Sequence, residues 1–208
     1  MNSKNNLVII KYNAGNIQSV LFALERIGVE AEVTDDTEKI RQADKVIFPG
    51  VGEASSAMKY LKERKLDEVI KSLKQPVFGI CLGMQLLCKH SEENDTTCLG
   101  ILPVNIKKFQ PDSHQSASSH NQALKVPQIG WNNIYQLKSP LFTGIPENSY
   151  IYNVHGYYAE DSDYTIARCH YGNEYAASVR KDNFYGVQFH TEKSASTGEA
   201  ILKNFIRL

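Results

Sequence analysis

A cysteine between two glycines is the residue in this chain best suited to chemistry. Cys81 follows a short apolar run at residues 77–80, and Gly79 and Gly83 lie two positions to either side of it. This spacing is typical of a nucleophile on a tight strand-to-helix turn, where glycine lets the neighbouring chain pass closely. The N–H groups at the start of the following helix favour a thiolate there. The sequence therefore predicts a nucleophilic elbow, although a buried structural cysteine would also fit this pentapeptide.

A cysteine nucleophile needs a base, and the base needs an acceptor that orients it. His190 closes a predicted strand, and Glu192 follows it by two residues. Strand ends of an α/β sheet meet at the edge where the elbow also lies. We therefore predict a triad of Cys81, His190 and Glu192. The alternative for His190 and Glu192 is an ordinary surface hydrogen bond.

A glycine-rich segment at residues 49–52 ends another predicted strand, beside the elbow strand. Such a loop can turn its amides towards a tetrahedral intermediate, and the N–H of Leu82 could supply a second donor. The segment is not a phosphate loop, because the lysine and the longer spacing are absent. An ordinary strand-to-helix turn is the other interpretation.

The elements that must position these residues change in character along the chain. Apolar strands alternate with helices up to the elbow, which indicates a mostly parallel sheet with helices on both faces. After about residue 100 the predicted strands follow one another closely, which favours antiparallel pairs that extend the sheet. We expect strands at 7–10, 29–34, 45–48, 77–80, 101–109, 150–154, 164–169, 174–180 and 184–189, and helices at 17–27, 53–65, 66–73, 84–88 and 196–206. The polar residues 110–122 are expected to form a surface loop.

Composition narrows the functional classes. The chain has 208 residues with 23 basic and 23 acidic side chains, so nothing points to nucleic acid or to a membrane-binding tail. No apolar run is long enough to span a bilayer. The four cysteines show neither a C-x-x-C pair nor zinc spacing, so we expect reduced thiols in the cytoplasm and no metal site. No repeat or linker divides the sequence, and we expect one domain over residues 1–208.

Three segments in this order resemble the class I (triad-type) glutamine amidotransferases. They are Pro-Gly-Val-Gly at 49–52, Gly-Ile-Cys-Leu-Gly-Met-Gln at 79–85 and Gly-Val-Gln-Phe-His-Thr-Glu-Lys-Ser at 186–194. Three more stretches, at 12–20, 126–132 and 152–158, resemble the glutaminase subunits of imidazole glycerol phosphate synthases. The resemblance runs nearly end to end and implies a three-layer α/β fold.

The resemblance also implies a chemistry. Cys81 would attack the carboxamide of glutamine, His190 would carry the proton that releases ammonia, and Glu192 would fix the imidazole. Val51 and Leu82 match the oxyanion donors of the family. No cofactor is implied. The positions that match the substrate-binding residues are Gly50, Gly52, Gln85, Glu93, Gly156 and Tyr157.

A partner is implied as well. In the resembling family, ammonia passes to a (β/α)₈-barrel cyclase subunit, which forms imidazole glycerol phosphate and the aminoimidazole-carboxamide ribotide in histidine biosynthesis. The two subunits form a heterodimer, and the glutaminase is nearly silent alone. The positions that match or lie near the docking face are Asn13, Asn16, Trp131, Tyr152 and Lys193.

Several residues depart from the family pattern. Gly156 replaces a serine or threonine near the amino-acid end of the substrate, and Thr191 replaces the proline between His190 and Glu192. Lys11, Asn13 and Gln128 also differ from the usual residues, and the polar loop before Val126 is longer. No departure removes a predicted catalytic group, but several fall near the pocket or the partner face.

Two alternatives remain open from the sequence. In the first, the same glutaminase chemistry feeds ammonia to an amidotransferase that acts on surface sugars. Neighbouring genes for glycan synthesis would favour this alternative, and neighbouring genes for histidine biosynthesis would favour the synthase. A non-catalytic thiol sensor or interaction protein on the same fold is the second. A cysteine protease and a pyridoxal phosphate synthase glutaminase fit less well, since no peptide groove and no Gly-Gly-Glu-Ser stretch are evident.

Overall fold

The computed structural model describes residues 6–13, 15–110 and 124–208. These residues form six α-helices: α1 (Ile17–Arg26), α2 (Thr37–Gln42), α3 (Ala54–Glu63), α4 (Leu66–Ser72), α5 (Leu82–Leu87) and α6 (Ala195–Arg207). They form the strands β1 (Leu7–Ile10), β2 (Glu32–Thr34), β3 (Lys45–Phe48), β4 (Val77–Ile80), β5 (His90–Ser91), β6 (Thr96–Thr97), β7 (Asn105–Lys108), β8 (Gln128–Ile134), β9 (Ser149–His155), β10 (Tyr157–Ala159), β11 (Thr165–Tyr171), β12 (Asn173–Lys181) and β13 (Phe184–Val187).

One large sheet runs through most of these strands. Its spatial order is β2-β1-β3-β4-β13-β12-β10-β7-β5-β6, with β11 paired to β12. The strands from β2 to β13 in this order are parallel, and the pairs from β13 to β7 are antiparallel. The mostly parallel centre with an antiparallel extension is as predicted. β8 and β9 form a separate antiparallel pair.

Helices cover both faces of the sheet, because the central strands are apolar on both sides. Val8 and Ile10 point into a core that also contains residues of α2, α3, α4 and α5. Leu7 and Ile9 point to the opposite face, whose core is completed by α1, α6 and the β8–β9 pair. The predicted three-layer α/β class is confirmed. Among the described residues, no helix is long and apolar enough to cross a membrane.

The structure also contains elements that the sequence reading did not predict. α2 was missed although its start signal is present: the carboxylate of Asp36 accepts hydrogen bonds from the N–H groups of Glu38 and Lys39, at 2.9 and 3.3 Å. The strand β8 and the short strands β5, β6 and β10 were missed as well. The predicted surface loop lies outside the described residues, except for Gln110.

Candidate active site

The elbow at Cys81 is held by strained backbone and close packing. Cys81 joins β4 to α5 with φ 53° and ψ −111°, which a residue with a side chain rarely adopts. Its N–H donates to the carbonyl of Val187 in the neighbouring strand at 2.8 Å. A Cβ on Gly83 would lie 1.8 Å from the carbonyl oxygen of Phe48, so only glycine allows α5 to pack this closely against the end of β3.

The predicted partners converge on the sulfur. The Nδ1 of His190 lies 2.6 Å from Oε1 of Glu192, and His190 also shares a side-chain hydrogen bond with Cys81. The side chains of His190 and Glu192 are only 3% and 0% exposed, so the pair is shielded from water. The side-chain amide of Asn16 donates to the same carboxylate oxygen of Glu192. The three groups therefore stand in the order sulfur, imidazole, carboxylate.

Two histidines at this site have pKa values shifted in opposite directions. Burial alone would lower the pKa of His190, but the hydrogen bonds to Cys81 and Glu192 outweigh burial and raise its pKa to about 10. Burial and, to a lesser extent, the proximity of His190 lower the pKa of His155 to about 4, against the hydrogen bond to the carbonyl of Tyr157, which raises it. At neutral pH, His190 is therefore an imidazolium and His155 is neutral.

Backbone contacts fix the position of His190, which follows β13 and precedes the 3₁₀ turn Thr191–Lys193. Its N–H donates to the carbonyl of Tyr152 at 2.9 Å. The hydroxyl of Ser194 donates to the carbonyl of His190 at 2.6 Å and accepts from the N–H of Tyr152 at 2.9 Å. His190 is thus tied to β9 through two separate links.

A cleft of about 440 Å³ opens over the sulfur. Its volume suits a small ligand, and its wall combines apolar groups with charged groups at separate places. Within the described part of the chain, no cluster of His, Cys, Asp or Glu could hold a metal ion. The lining residues are Val51, Gly52, Cys81, Leu82, Gln85, Glu93, Lys108, Val126, Pro127, Val154, His155, Gly156, Tyr157 and His190.

The sequence profile of the family described as "Glutamine amidotransferase class-I" matches residues 8–208. The chain belongs to the class-I glutamine amidotransferase family. The match covers every element that builds the elbow, the cleft and the triad.

Within the class-I amidotransferases, the chain is clearly similar to the following relatives. The chain is 52% identical to imidazole glycerol phosphate synthase subunit HisH of Bacteroides thetaiotaomicron, over 97% of this chain and 99% of the relative. It is 46% identical to the subunit HisH of Shewanella loihica, over 97% and 90% of the two chains. Among solved structures, PurLQS from Thermotoga maritima superposes with a TM-score of 0.70 at 18% identity, over 98% of each chain. The last likeness concerns the fold alone.

Most of the predicted substrate-binding residues of this amidotransferase line the cleft. Gly52, Gln85, Glu93, Gly156 and Tyr157 are among the lining residues, whereas Gly50 is not. The side-chain amide of Gln85 donates to Oε1 of Gln188 at 3.0 Å and to the carbonyl of Tyr157 at 3.3 Å.

The two predicted oxyanion donors do not converge in this structure. The N–H of Leu82 donates to the carbonyl of Gly50 at 3.3 Å, so the loop itself occupies this donor. In a trans peptide the N–H points opposite to the carbonyl. The N–H of Val51, which shares a peptide unit with that carbonyl, therefore points away from Leu82.

The predicted partner residues lie on the β8–β9 pair, in the turn Thr191–Lys193 and in the segment before α1. Trp131 of β8 and Tyr152 of β9 are register partners whose rings meet edge to face at 5.6 Å. Trp131 is 54% exposed, beside Ile129 at 64% and Tyr150 at 65%. Lys193 and Asn13 are exposed as well, but the amide of Asn13 donates to the carbonyl of Ser56, at 3.3 Å.

Three residues of the site were not predicted from the sequence. The amide of Gln188 approaches the sulfur of Cys81 at 3.8 Å, and its spacing of two from His190 along an extended segment was the available signal. His155 and Lys108 line the cleft. Nothing local in the sequence distinguishes Lys108 from its neighbour Lys107, because only strand pairing brings it to the cleft.

Proposed function

We propose that this chain is the glutaminase subunit of an imidazole glycerol phosphate synthase, and that it hydrolyses glutamine to glutamate and ammonia for histidine biosynthesis. One observation carries the proposal: a buried His190 contacts both Cys81 and Glu192 at the wall of a cleft sized for an amino acid. The names of the relatives point to the synthase, and the family resemblance implies its place in histidine biosynthesis.

The geometry supports a two-step reaction. The sulfur of Cys81 adds to the carboxamide carbon, and the imidazolium of His190 then gives its proton to the departing nitrogen, which leaves as ammonia. Neutral His190 next takes a proton from a water molecule that attacks the thioester. Glutamate leaves, and the sulfur is regenerated. Glu192 holds Nδ1 of His190 throughout, so Nε2 faces the reacting atoms.

The loop at residues 49–52 would control this reaction. In the present arrangement the carbonyl of Gly50, not a donor, faces the place where an oxyanion would form beside Leu82. Rotation of the peptide between Gly50 and Val51 would free the N–H of Leu82 and bring the N–H of Val51 beside it. We propose that docking of the partner favours the rotated state, so that free ammonia is not wasted in water.

The proposed partner is a (β/α)₈-barrel cyclase subunit that receives the ammonia in a heterodimer. Support comes from the apolar surface that β8 and β9 present around Trp131 and Tyr152. His190 is tied to Tyr152 by a backbone hydrogen bond, so a partner on this surface would stand directly behind the triad. Lys193, Asn13 and Asn16 extend the proposed interface.

We also propose that residues 1–208 are one glutaminase domain and that the protein acts in the cytoplasm. Support for one domain comes from the eleven-stranded sheet, whose strands are drawn from β1 to β13. Support for a reducing compartment comes from the four free cysteines.

The sequence alternatives are less well supported. The relatives carry the synthase name and not that of a sugar amidotransferase. A thiol sensor would not need a buried histidine and carboxylate aligned on its cysteine. The experiment below separates both alternatives from the proposal.

Cys81→Ala tests the function. In complex with the cyclase subunit, this variant should lose glutamine-dependent product formation by roughly 10⁴-fold or more, because no other group can form the thioester. Synthesis from an added ammonium salt should stay at the level of the unaltered complex, since the cyclase reaction does not use the sulfur. Glutamine-dependent turnover that survives the substitution would refute the proposal.

A further inference from the structure

We infer that Lys108 binds the α-carboxylate of the glutamine substrate and so selects free L-glutamine, an assignment that rests on the proposed function. Lys108 is the last residue of β7 and lines the same cleft as Cys81 and His190. It is the register partner of Tyr157, and the N–H of the next residue, Phe109, donates to the carbonyl of Gly156 at 3.1 Å. Lys108 therefore stands beside Gly156, which was predicted to lie near the amino-acid end of the substrate, and beside Tyr157, another predicted substrate-binding residue.

The charges that line the cleft match a zwitterion. Among its lining residues, Lys108 is the one lysine or arginine and Glu93 is the one carboxylate. His155 is neutral because burial lowers its pKa to about 4. The imidazole of His190 is already hydrogen-bonded to Glu192 and Cys81. An α-ammonium group would therefore pair with Glu93, and Lys108 is the remaining cation for the α-carboxylate.

The ammonium group of Lys108 is available for this role. Neighbouring Lys107 is paired with Glu92, at 3.2 Å between Nζ and Oε1. The other oxygen of Glu92 accepts from the backbone N–H of Lys108 at 2.7 Å. Within residues 6–13, 15–110 and 124–208, the side chain of Lys108 makes no ion pair. The two adjacent lysines thus differ: Lys107 is paired with Glu92, whereas Lys108 lines the cleft and makes no ion pair among the described residues.

The lack of a side chain at Gly156 supports the assignment of Lys108 to the α-carboxylate. A Cβ at this position would meet Val126 and Pro127 at 3.7 and 3.8 Å, which are ordinary contact distances. The cleft therefore has room for a side chain at 156 but receives none. Recognition of the carboxylate falls to backbone groups and to Lys108.

The expected kinetic effect is specific. The α-carboxylate lies at the far end of the substrate from the reacting carboxamide, so its contact should be equally strong in the ground state and the transition state. Loss of such uniform binding raises KM and leaves kcat unchanged. In the cyclase complex, Lys108→Met should raise KM for glutamine about tenfold or more, the size of a lost charge-assisted hydrogen bond. Lys108→Arg should restore most of the affinity.

Substrate analogues distinguish binding from a structural effect. 4-Aminobutanamide lacks the α-carboxylate, so unaltered and Lys108→Met complexes should hydrolyse it with equal kcat/KM. Glutaramic acid keeps the carboxylate and lacks the amine, so Lys108→Met should lose kcat/KM for it as for glutamine. Lys107→Met is the matched control and should leave KM for glutamine unchanged.

The outcomes separate the two proposals. If the unaltered complex hydrolyses glutamine but Lys108→Met keeps the same KM, or loses equally on 4-aminobutanamide, the assignment of Lys108 is overturned and the proposed function stands. If the unaltered complex does not hydrolyse glutamine, the proposed function fails and the assignment fails with it.

Discussion

His190 and His155 are buried within one site yet differ in charge at neutral pH. Two hydrogen-bonding partners keep His190 protonated, with a pKa of about 10, whereas burial keeps His155 neutral, with a pKa of about 4. The Nδ1–H of His155 donates to the carbonyl of Tyr157 at 2.8 Å, which fixes its tautomer. An imidazolium beside the sulfur is the form that the proposed reaction needs, because it stabilises a thiolate and later gives its proton to the departing nitrogen.

This difference predicts two separate titrations. In ¹⁵N spectra of the imidazole rings, His190 should stay protonated from pH 6 to 8 and lose its proton near pH 10, whereas His155 should gain a proton only near pH 4. Cys81→Ala removes one of the hydrogen bonds that raise the pKa of His190, so its midpoint should fall in that variant. A midpoint of His190 near 6.5 in the unaltered protein, or one that ignores Cys81→Ala, would contradict this account.

The same shifts set the sign of the pH dependence of stability. The pKa of His190 is raised in the folded state, so its contribution is fully present below about pH 6.5 and is lost as pH rises through about 10. The pKa of His155 is lowered, so its contribution is present above about pH 6.5 and is lost as pH falls through about 4. The summed contribution of the two histidines should therefore be greatest near pH 6.5.

A few contacts fix the backbone conformation of the segment at residues 49–52. The hydroxyl of buried Tyr12 donates to the carbonyl of Pro49 at 2.7 Å, and the carbonyl of Gly50 accepts from Leu82. A Cβ on Gly50 would lie 2.1 Å from the Tyr12 hydroxyl and 3.1 Å from Cβ of Leu82. The hydroxyl of Tyr12 therefore fixes Pro49 at the start of the loop and leaves no room for a side chain at position 50.

A double-mutant cycle tests this arrangement. Gly50→Ala should lower the free energy of unfolding by about 1–3 kcal/mol through overpacking. Tyr12→Phe should lower it by about 1 kcal/mol through the lost hydrogen bond. In the double variant the clashing hydroxyl is gone, so the combined loss should be smaller than the sum by at least about 0.5 kcal/mol.

Urea unfolding of the four proteins measures the cycle. Additive losses would mean that the Tyr12 hydroxyl does not contact position 50. A glutaminase assay of Tyr12→Phe in the cyclase complex would then report whether the anchor also affects turnover.

Sequence patterns predicted the elements whose burial is uniform. β1, β4 and, after Lys45, β3 are runs without polar side chains that are buried on both faces, and their bounds agree with the prediction. β8 was missed because its apolar residues Ile129 and Trp131 are exposed whereas its polar residue Gln128 is buried, which reverses the alternation expected of a half-buried strand. The site residues found from sequence lie at glycine turns and strand ends. The place of Lys108 at the cleft and the hydrogen bond from Asn16 to Glu192 depend on contacts between distant segments, which no local pattern contains.

The fold brings together groups that are more than 100 residues apart in the sequence. β4 and β13 are adjacent parallel strands, so Cys81 after the one and His190 after the other meet at the same sheet edge. Asn16, at the start of α1, reaches Glu192 from the layer that covers this edge. The site therefore joins the parallel core, the β8–β9 pair and the helical layer, and the family membership spans all three.

If Cys81, activated by His190, attacks the carboxamide of glutamine, a glutamine-analogue alkylator should react with the same sulfur. After incubation of the cyclase complex with 6-diazo-5-oxo-L-norleucine, peptide mass spectrometry should find the label on Cys81. Excess glutamine should block the label, and His190→Asn should slow it. The buried Cys88, Cys98 and Cys169 serve as internal controls and should stay unlabelled. Label on those cysteines instead, or label on Cys81 that glutamine does not prevent, would contradict the account.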